Sequence, residues 1–94
     1  FRKMISGIKI DPSNVILSTV KESINGEGYI IRLYNPYDRT HMVKIDLGHP
    51  CSEVFKVKLD ESKELKMDLE KNSFSFETLP FAINTFLINR KPLI

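Results

Sequence analysis

His41, His49 and Cys51 lie close together in the chain, and imidazole and thiolate are common zinc ligands. Zinc sites take three or four ligands, usually at paired spacings such as C-x2-C or H-x3-H, and these three residues lack that spacing. His49 and Cys51 straddle Pro50 in a turn, while His41 points with the apolar side of an alternating segment. They read as a turn histidine, a small buried cysteine and a partly covered strand histidine, so no metal site is expected. A catalytic serine or cysteine needs a base to activate it and a third group to orient that base. No G-x-S-x-G elbow occurs, and nothing around Cys51 resembles a cysteine-protease signature.

Carboxylate pairs are always available among twelve acidic residues, so Glu61 with Glu77 carries no meaning by itself. Glycoside hydrolysis needs two carboxyls about 5–10 Å apart across a sugar, and nothing in their spacing sets that separation. Of the four glycines only Gly26 and Gly28 are neighbours, which does not make a phosphate-binding loop. Tyr29, Tyr34 and Tyr37 flank an Asn35-Pro36 turn and could stack on a sugar, although the chain has no tryptophan. A stand-alone carbohydrate-binding module is therefore the alternative function. No catalytic residue is expected.

The elements that would position these groups are strands, because the dominant period is two. In 40–47, His41, Val43, Ile45 and Leu47 face one way, and Met42, Lys44 and Asp46 the other. In 54–59, Phe55, Val57 and Leu59 oppose Lys56 and Lys58. Leu65, Met67 and Leu69 alternate with Lys66 and Asp68, where a helix would project Met67 from the wrong face. The more continuous apolar runs at 14–21, 29–34 and 81–88 predict buried central strands. A short strand at 73–77 presents Phe74 and Phe76 to one side, and 3–10 is a further candidate. Turn residues separate these runs: Asp11-Pro12-Ser13-Asn14, Asn25-Gly26-Glu27-Gly28, Asn35-Pro36-Tyr37-Asp38, Gly48-His49-Pro50 and Glu70-Lys71-Asn72. Pro80 is expected at the start of the last strand. Seven to eight short strands with turns at regular intervals predict an all-β, antiparallel β-sandwich over residues 1–94 as one domain.

Ninety-four residues suit one core, and 41% hydrophobic with 28% charged residues is an ordinary globular balance. Fourteen basic against twelve acidic residues give a net charge of +2, too even to point to nucleic acid or an anionic membrane. No apolar run approaches the ~20 residues of a membrane-spanning helix. A lone cysteine cannot staple the domain internally, which favours a reducing, cytoplasmic setting. The chain opens on Phe1 rather than methionine, the expectation for a segment excised from a longer protein.

One string is unusual: Tyr29-Ile30-Ile31-Arg32-Leu33-Tyr34-Asn35-Pro36, an arginine inside an apolar strand that leads into Tyr-Asn-Pro. It resembles the central motif of the C-terminal β-domain of glycoside hydrolase family 38, the α-mannosidases, in a bacterial-type form. Val15-Ile16-Leu17-Ser18-Thr19-Val20-Lys21-Glu22 resembles that family's upstream leucine-serine-x-x-lysine strand. Leu59-Asp60-Glu61 is similar to its leucine-x-glutamate turn. Phe74-Ser75-Phe76 with Leu79-Pro80-Phe81-Ala82-Ile83-Asn84-Thr85-Phe86 is similar to its closing strand. The resemblance covers about residues 14–88 in the family's order. Ala82 stands where the closing motif commonly carries glutamate, so no carboxylate role is expected there.

The resemblance implies a parent enzyme that hydrolyses terminal α-mannosides through an aspartate nucleophile and a zinc ion held by Asp and His. Those groups belong to an N-terminal catalytic domain that no segment here matches. The expectation for this chain is a C-terminal accessory domain of a larger glycosidase, not an enzyme on its own, with no cofactor of its own. Its expected partner is the remainder of the parent chain, with carbohydrate as the alternative. Arg32, Tyr34, Asn35 and Glu61 are the candidate inter-domain contacts. Arg32, a charge among apolar neighbours, would either expose its head over a snorkelling stem or pair with another domain.

Overall fold

Strands whose side chains alternate must bury one face, and two sheets packed face to face do so without helices. The computed structural model describes residues 8–12, 14–24, 26, 28–48 and 51–90, the side chain of Arg90 excepted. The described residues form eight strands: β1 (Lys9–Asp11), β2 (Ile16–Glu22), β3 (Gly28–Tyr34), β4 (His41–Asp46), β5 (Cys51–Val57), β6 (Lys63–Met67), β7 (Ser73–Thr78) and β8 (Ile83–Arg90). They make a three-stranded sheet in the order β1-β4-β7 and a five-stranded sheet in the order β2-β3-β8-β5-β6. All pairings are antiparallel. The expected β-sandwich is the fold observed. Of the segment 3–10, only its last residues are described, as the start of β1; residues 1–7 lie outside the described residues, as do Ser13, Asn25, Glu27, His49 and Pro50.

The core lies between the sheets. Val43 and Ile45 of β4 and Phe74 and Phe76 of β7 meet Tyr29, Ile31 and Leu33 of β3, Val54 of β5, and Phe86 and Ile88 of β8. The predicted faces of β4 and β7 are the observed ones. A second, smaller apolar cluster occupies the opposite face of the five-stranded sheet: Ile30, Val57 and Leu87, with Phe55 packed against them. Central strands β3 and β8 thus have apolar partners on both faces, which is why their sequences read as unbroken hydrophobic runs.

Three expectations are corrected. Residues 14–21 do not form a central strand: β2 is an edge, and Ile16 is 48% exposed. Of residues 54–59 it is Val54 that enters the main core, as Cys51 does at the head of β5, whereas Phe55 and Val57 face outward and Leu59 sits in an exposed turn. The last strand begins at Ile83 rather than Phe81, so Pro80 and Phe81 belong to the turn before it.

Turn chemistry accounts for the connections. Gly26 has φ of +72°, a left-handed conformation that costs a glycine nothing. Gly28 serves by being small, because a Cβ there would stand 1.9 Å from the Ile88 carbonyl oxygen of the neighbouring strand. Buried Ser23 donates from its backbone N–H to the Gly28 carbonyl and accepts the Gly28 N–H on its hydroxyl, closing the β2–β3 connection.

Candidate functional site

Of the four candidate contact residues, Arg32, Tyr34 and Glu61 fall on or around the outer face of the five-stranded sheet, and Asn35 is buried just past the end of β3. Alternation along β3 sends Tyr29, Ile31 and Leu33 inward and Ile30, Arg32 and Tyr34 outward. Arg32 is half-buried and stands opposite Thr85 of β8, donating from Nε to Thr85 Oγ1 at 3.2 Å. It forms no ion pair with any described residue. Its carbonyl accepts from Ser18 Oγ at 3.1 Å, where β2 bulges past it. Tyr34, also half-buried, closes β3 between Ile16 of β2 and Ile83 of β8. These three side chains form one cross-strand row, and Ile83 is 60% exposed. Beside it, Val57, Leu59, Ile83 and Thr85 line an open hollow together with the charged Lys56, Lys58, Asp60 and Glu64.

Asn35 is fully buried and its amide is occupied within the chain. Its Nδ2 donates to the carbonyls of Arg39 (2.8 Å) and Leu79 (3.0 Å), and its Oδ1 accepts from the Tyr37 N–H (3.1 Å). Its backbone N–H donates to the Ala82 carbonyl at 3.0 Å. Asn35 therefore ties two turns, 35–40 and 79–82, into one rigid corner.

Glu61 ends the turn between β5 and β6. The Glu61 N–H donates to the Lys58 carbonyl and the Lys58 N–H to the Ser62 carbonyl. A turn closed this way needs a left-handed residue at Glu61, whose φ is +68°. Ser62 donates both its N–H and its hydroxyl to Asp60 Oδ1 (3.0 and 2.6 Å), which holds the Asp60 carboxyl below its ordinary range. The Glu61 carboxylate reaches the opposite edge of the sheet. Oε1 accepts from the Ile24 N–H at 2.8 Å, and Oε2 lies 3.5 Å from Lys21 Nζ with no hydrogen bond of its own. Its side chain is 7% exposed against 47% for Lys21. The β5–β6 turn is so bound to β2 and the turn that follows it, with buried Ile30 and Leu87 on the strands between.

Those of the residues weighed for chemistry that are described do not converge. Cys51 is buried at the head of β5; His41 sits half-buried on β4 with its ring edge-on to Tyr37 at 5.8 Å. His49 lies outside the described residues. Among the described residues no three His, Cys, Asp or Glu side chains are grouped as a metal ion would require. Glu77 projects from the outer side of the three-stranded sheet, on the far side of the sandwich from Glu61. Tyr29 is a core residue, leaving Tyr34 and Tyr37 as the tyrosines with solvent access.

Sequence reasoning missed Phe81. The Ala82 N–H donates to the Leu79 carbonyl around Pro80-Phe81, and Phe81 has φ of +56°. A β-turn with proline second and a left-handed third residue normally takes glycine or asparagine there. The left-handed region costs any other residue about 1–2 kcal/mol, yet here it is filled by a phenylalanine that is 57% exposed. Proline followed by an aromatic, immediately before an alternating strand, was the available signal.

The family model described as the glycosyl hydrolases family 38 C-terminal beta sandwich domain matches residues 14–86. No curated protein and no solved structure matches the chain.

Proposed function

The chain belongs to the C-terminal β-sandwich domains of glycosyl hydrolase family 38, and from that membership we propose that it serves an α-mannosidase as a non-catalytic accessory domain. The match over residues 14–86, which takes in seven of the eight strands in whole or part, is the observation that carries this reading. On it, a bacterial-type parent enzyme in the cytoplasm hydrolyses terminal α-mannosides. The aspartate nucleophile and the zinc of such enzymes belong to the catalytic part of that parent. Zinc there would polarise the substrate and help place the sugar; no step of hydrolysis falls to residues of this chain. The role of these residues is to pack against the catalytic part and hold its shape.

Arg32 supports the docking role, being half-buried on a sheet face with its guanidinium bonded, among the described residues, to a neutral hydroxyl. Removing one partner of a buried charged contact costs about 3–5 kcal/mol, against about 0–1 kcal/mol for an exposed one. The test is Arg32→Ala in the full-length enzyme, followed by thermal unfolding and by turnover of an aryl α-mannoside. The expected result is a lower melting midpoint with reduced turnover. If both stay at wild-type values, Arg32 makes no inter-domain contact. If the wild-type enzyme cleaves another aryl glycoside and not the α-mannoside, the substrate assignment is wrong.

A further inference from the structure

The turn between β5 and β6 is built as a stiff piece. The Lys58 N–H donates to the Ser62 carbonyl, the Glu61 N–H to the Lys58 carbonyl, and Ser62 donates twice to the Asp60 carboxylate. All of these bonds stay within residues 58–62. Lys58, Leu59, Asp60 and Ser62 are exposed, and an open hollow lies between the turn and Ile83 and Thr85 of β8. Among the described residues, the polar contacts that leave the turn are those of the Glu61 carboxylate.

That carboxylate reaches far. In the order β2-β3-β8-β5, β2 lies three strand spacings from β5, about 14 Å across the sheet. A glutamate side chain does not bridge that span, so the turn itself leans over β8 and β3. Only then can Glu61 meet the Ile24 N–H at 2.8 Å and Lys21 Nζ at 3.5 Å. Beneath lie Ile30 and Leu87, which point outward yet are 0% and 3% exposed. Outward side chains of an antiparallel sheet are so well hidden when something lies over them. At the base of the turn, the pairing of β5 with β6 shifts register between Lys56 and Val57. Such an irregularity interrupts the ladder and lets the strands bend.

We propose that residues 58–62 form a hinged flap, latched by Glu61, that swings about the Lys56–Val57 irregularity and uncovers Ile30 and Leu87 while the sandwich stays folded. Three parts make the device: a body stiffened by its own bonds, a break in the ladder at its base, and one charged contact at its tip. Local opening follows the weakest attachment. Both partners of the latch are open to water, Ile24 at 78% and the Lys21 side chain at 47% exposed. The open flap offers the apolar patch of Ile30, Leu87, Val57 and Phe55 that the closed flap withholds. It is a property of this chain's own bonds, independent of the enzyme that carries the domain.

The test is hydroxyl-radical labelling of the full-length enzyme, read residue by residue, with Glu61→Ala beside the wild type. With the latch gone, Ile30 and Leu87 are expected to label several-fold faster, while Phe74 and Phe86 of the main core keep the wild-type rate. Glu61→Gly also removes the carboxylate but relaxes a backbone at φ +68°, and it is expected to match the alanine variant. A rise in the alanine variant alone would trace the effect to backbone strain and overturn the proposal. Unchanged labelling of Ile30 and Leu87 in both variants would overturn it too. So would a rise shared equally by Phe74 and Phe86, which is unfolding of the whole sandwich. Wild-type enzyme in urea below its unfolding transition gives a readout that needs no variant. There Ile30 and Leu87 are expected to gain label at lower urea than Phe74 and Phe86; simultaneous gain would show that no flap opens on its own.

Discussion

At Glu61 one side chain explains a backbone that its residue type disfavours. A hydrogen bond to a charged group contributes about 1.5–3 kcal/mol, and the exposed Ile24 N–H donates one to the Glu61 carboxylate at 2.8 Å. Lys21 is half-exposed, so the ion pair adds little beyond that bond. Glu61→Ala keeps the left-handed strain at φ +68° and loses the bond, and it should destabilise the chain by about 2 kcal/mol. Glu61→Gly loses the same bond but releases the strain, so it should recover about 1 kcal/mol of that loss. Urea-denaturation midpoints of the two variants check both signs; an alanine variant as stable as wild type would mean the cross-sheet tie holds nothing. The sequence placed Glu61 in a turn through Leu59-Asp60-Glu61. Its reach to Ile24 was not legible, because the two lie far apart in the chain and come together only through sheet order.

Strands were legible where one face meets the core and the other meets water. Val43 and Ile45 alternate with Lys44 and Asp46, and Phe74 and Phe76 with Ser75 and Glu77, so β4 and β7 could be read with the right faces. The reading failed where the number of neighbours matters. Residues 14–21 are as apolar as a central strand, yet β2 has only β3 beside it and leaves Ile16 open. Phe55 and Val57 alternate like core residues, but they face the satellite cluster under the outer surface, and it is Cys51 and Val54 that enter the main core. Periodicity fixes which residues share a face and is silent on which face is inside. The centre of the five-stranded sheet gives a sharper test. β3 and β8 lie so close at Gly28 that a Cβ would meet the Ile88 carbonyl oxygen at 1.9 Å and its carbon at 2.9 Å. Both obstacles are backbone and can yield only by parting the strands. Gly28→Ala should therefore cost about 3 kcal/mol or more, a large value for one methyl group. A denaturation midpoint within error of wild type would show that the strands do not approach this closely.

One aromatic cluster lies in the core that joins the two sheets. Phe86 of β8 lies 5.0 Å from the ring of Phe74 and 4.7 Å from that of Phe76, both on β7 of the facing sheet, and is fully buried. Close by, Asn84 Nδ2 donates to Thr78 Oγ1 at 2.8 Å, so a satisfied polar bridge also crosses between the sheets. Together they fix the separation of the layers, and hence the angle at which the 79–82 corner stands to the outer row. A chain of this size buries only about 60–65% of its unfolded surface, so its whole stability falls within about 5–15 kcal/mol and one core aromatic is a sizeable share. Phe86→Ala removes a ring packed on two sides by other rings, and their strands cannot close the gap without breaking the ladders to β4, β3 and β5. The expected loss is about 3–5 kcal/mol, seen as a lower urea midpoint at unchanged slope. Leu65→Ala, on the exposed side of edge strand β6, should shift the same midpoint by no more than about 0.5 kcal/mol. Equal losses in the two variants would mean that the sheets are not held by this cluster, and that the corner presenting Phe81 is positioned by its turn bonds alone.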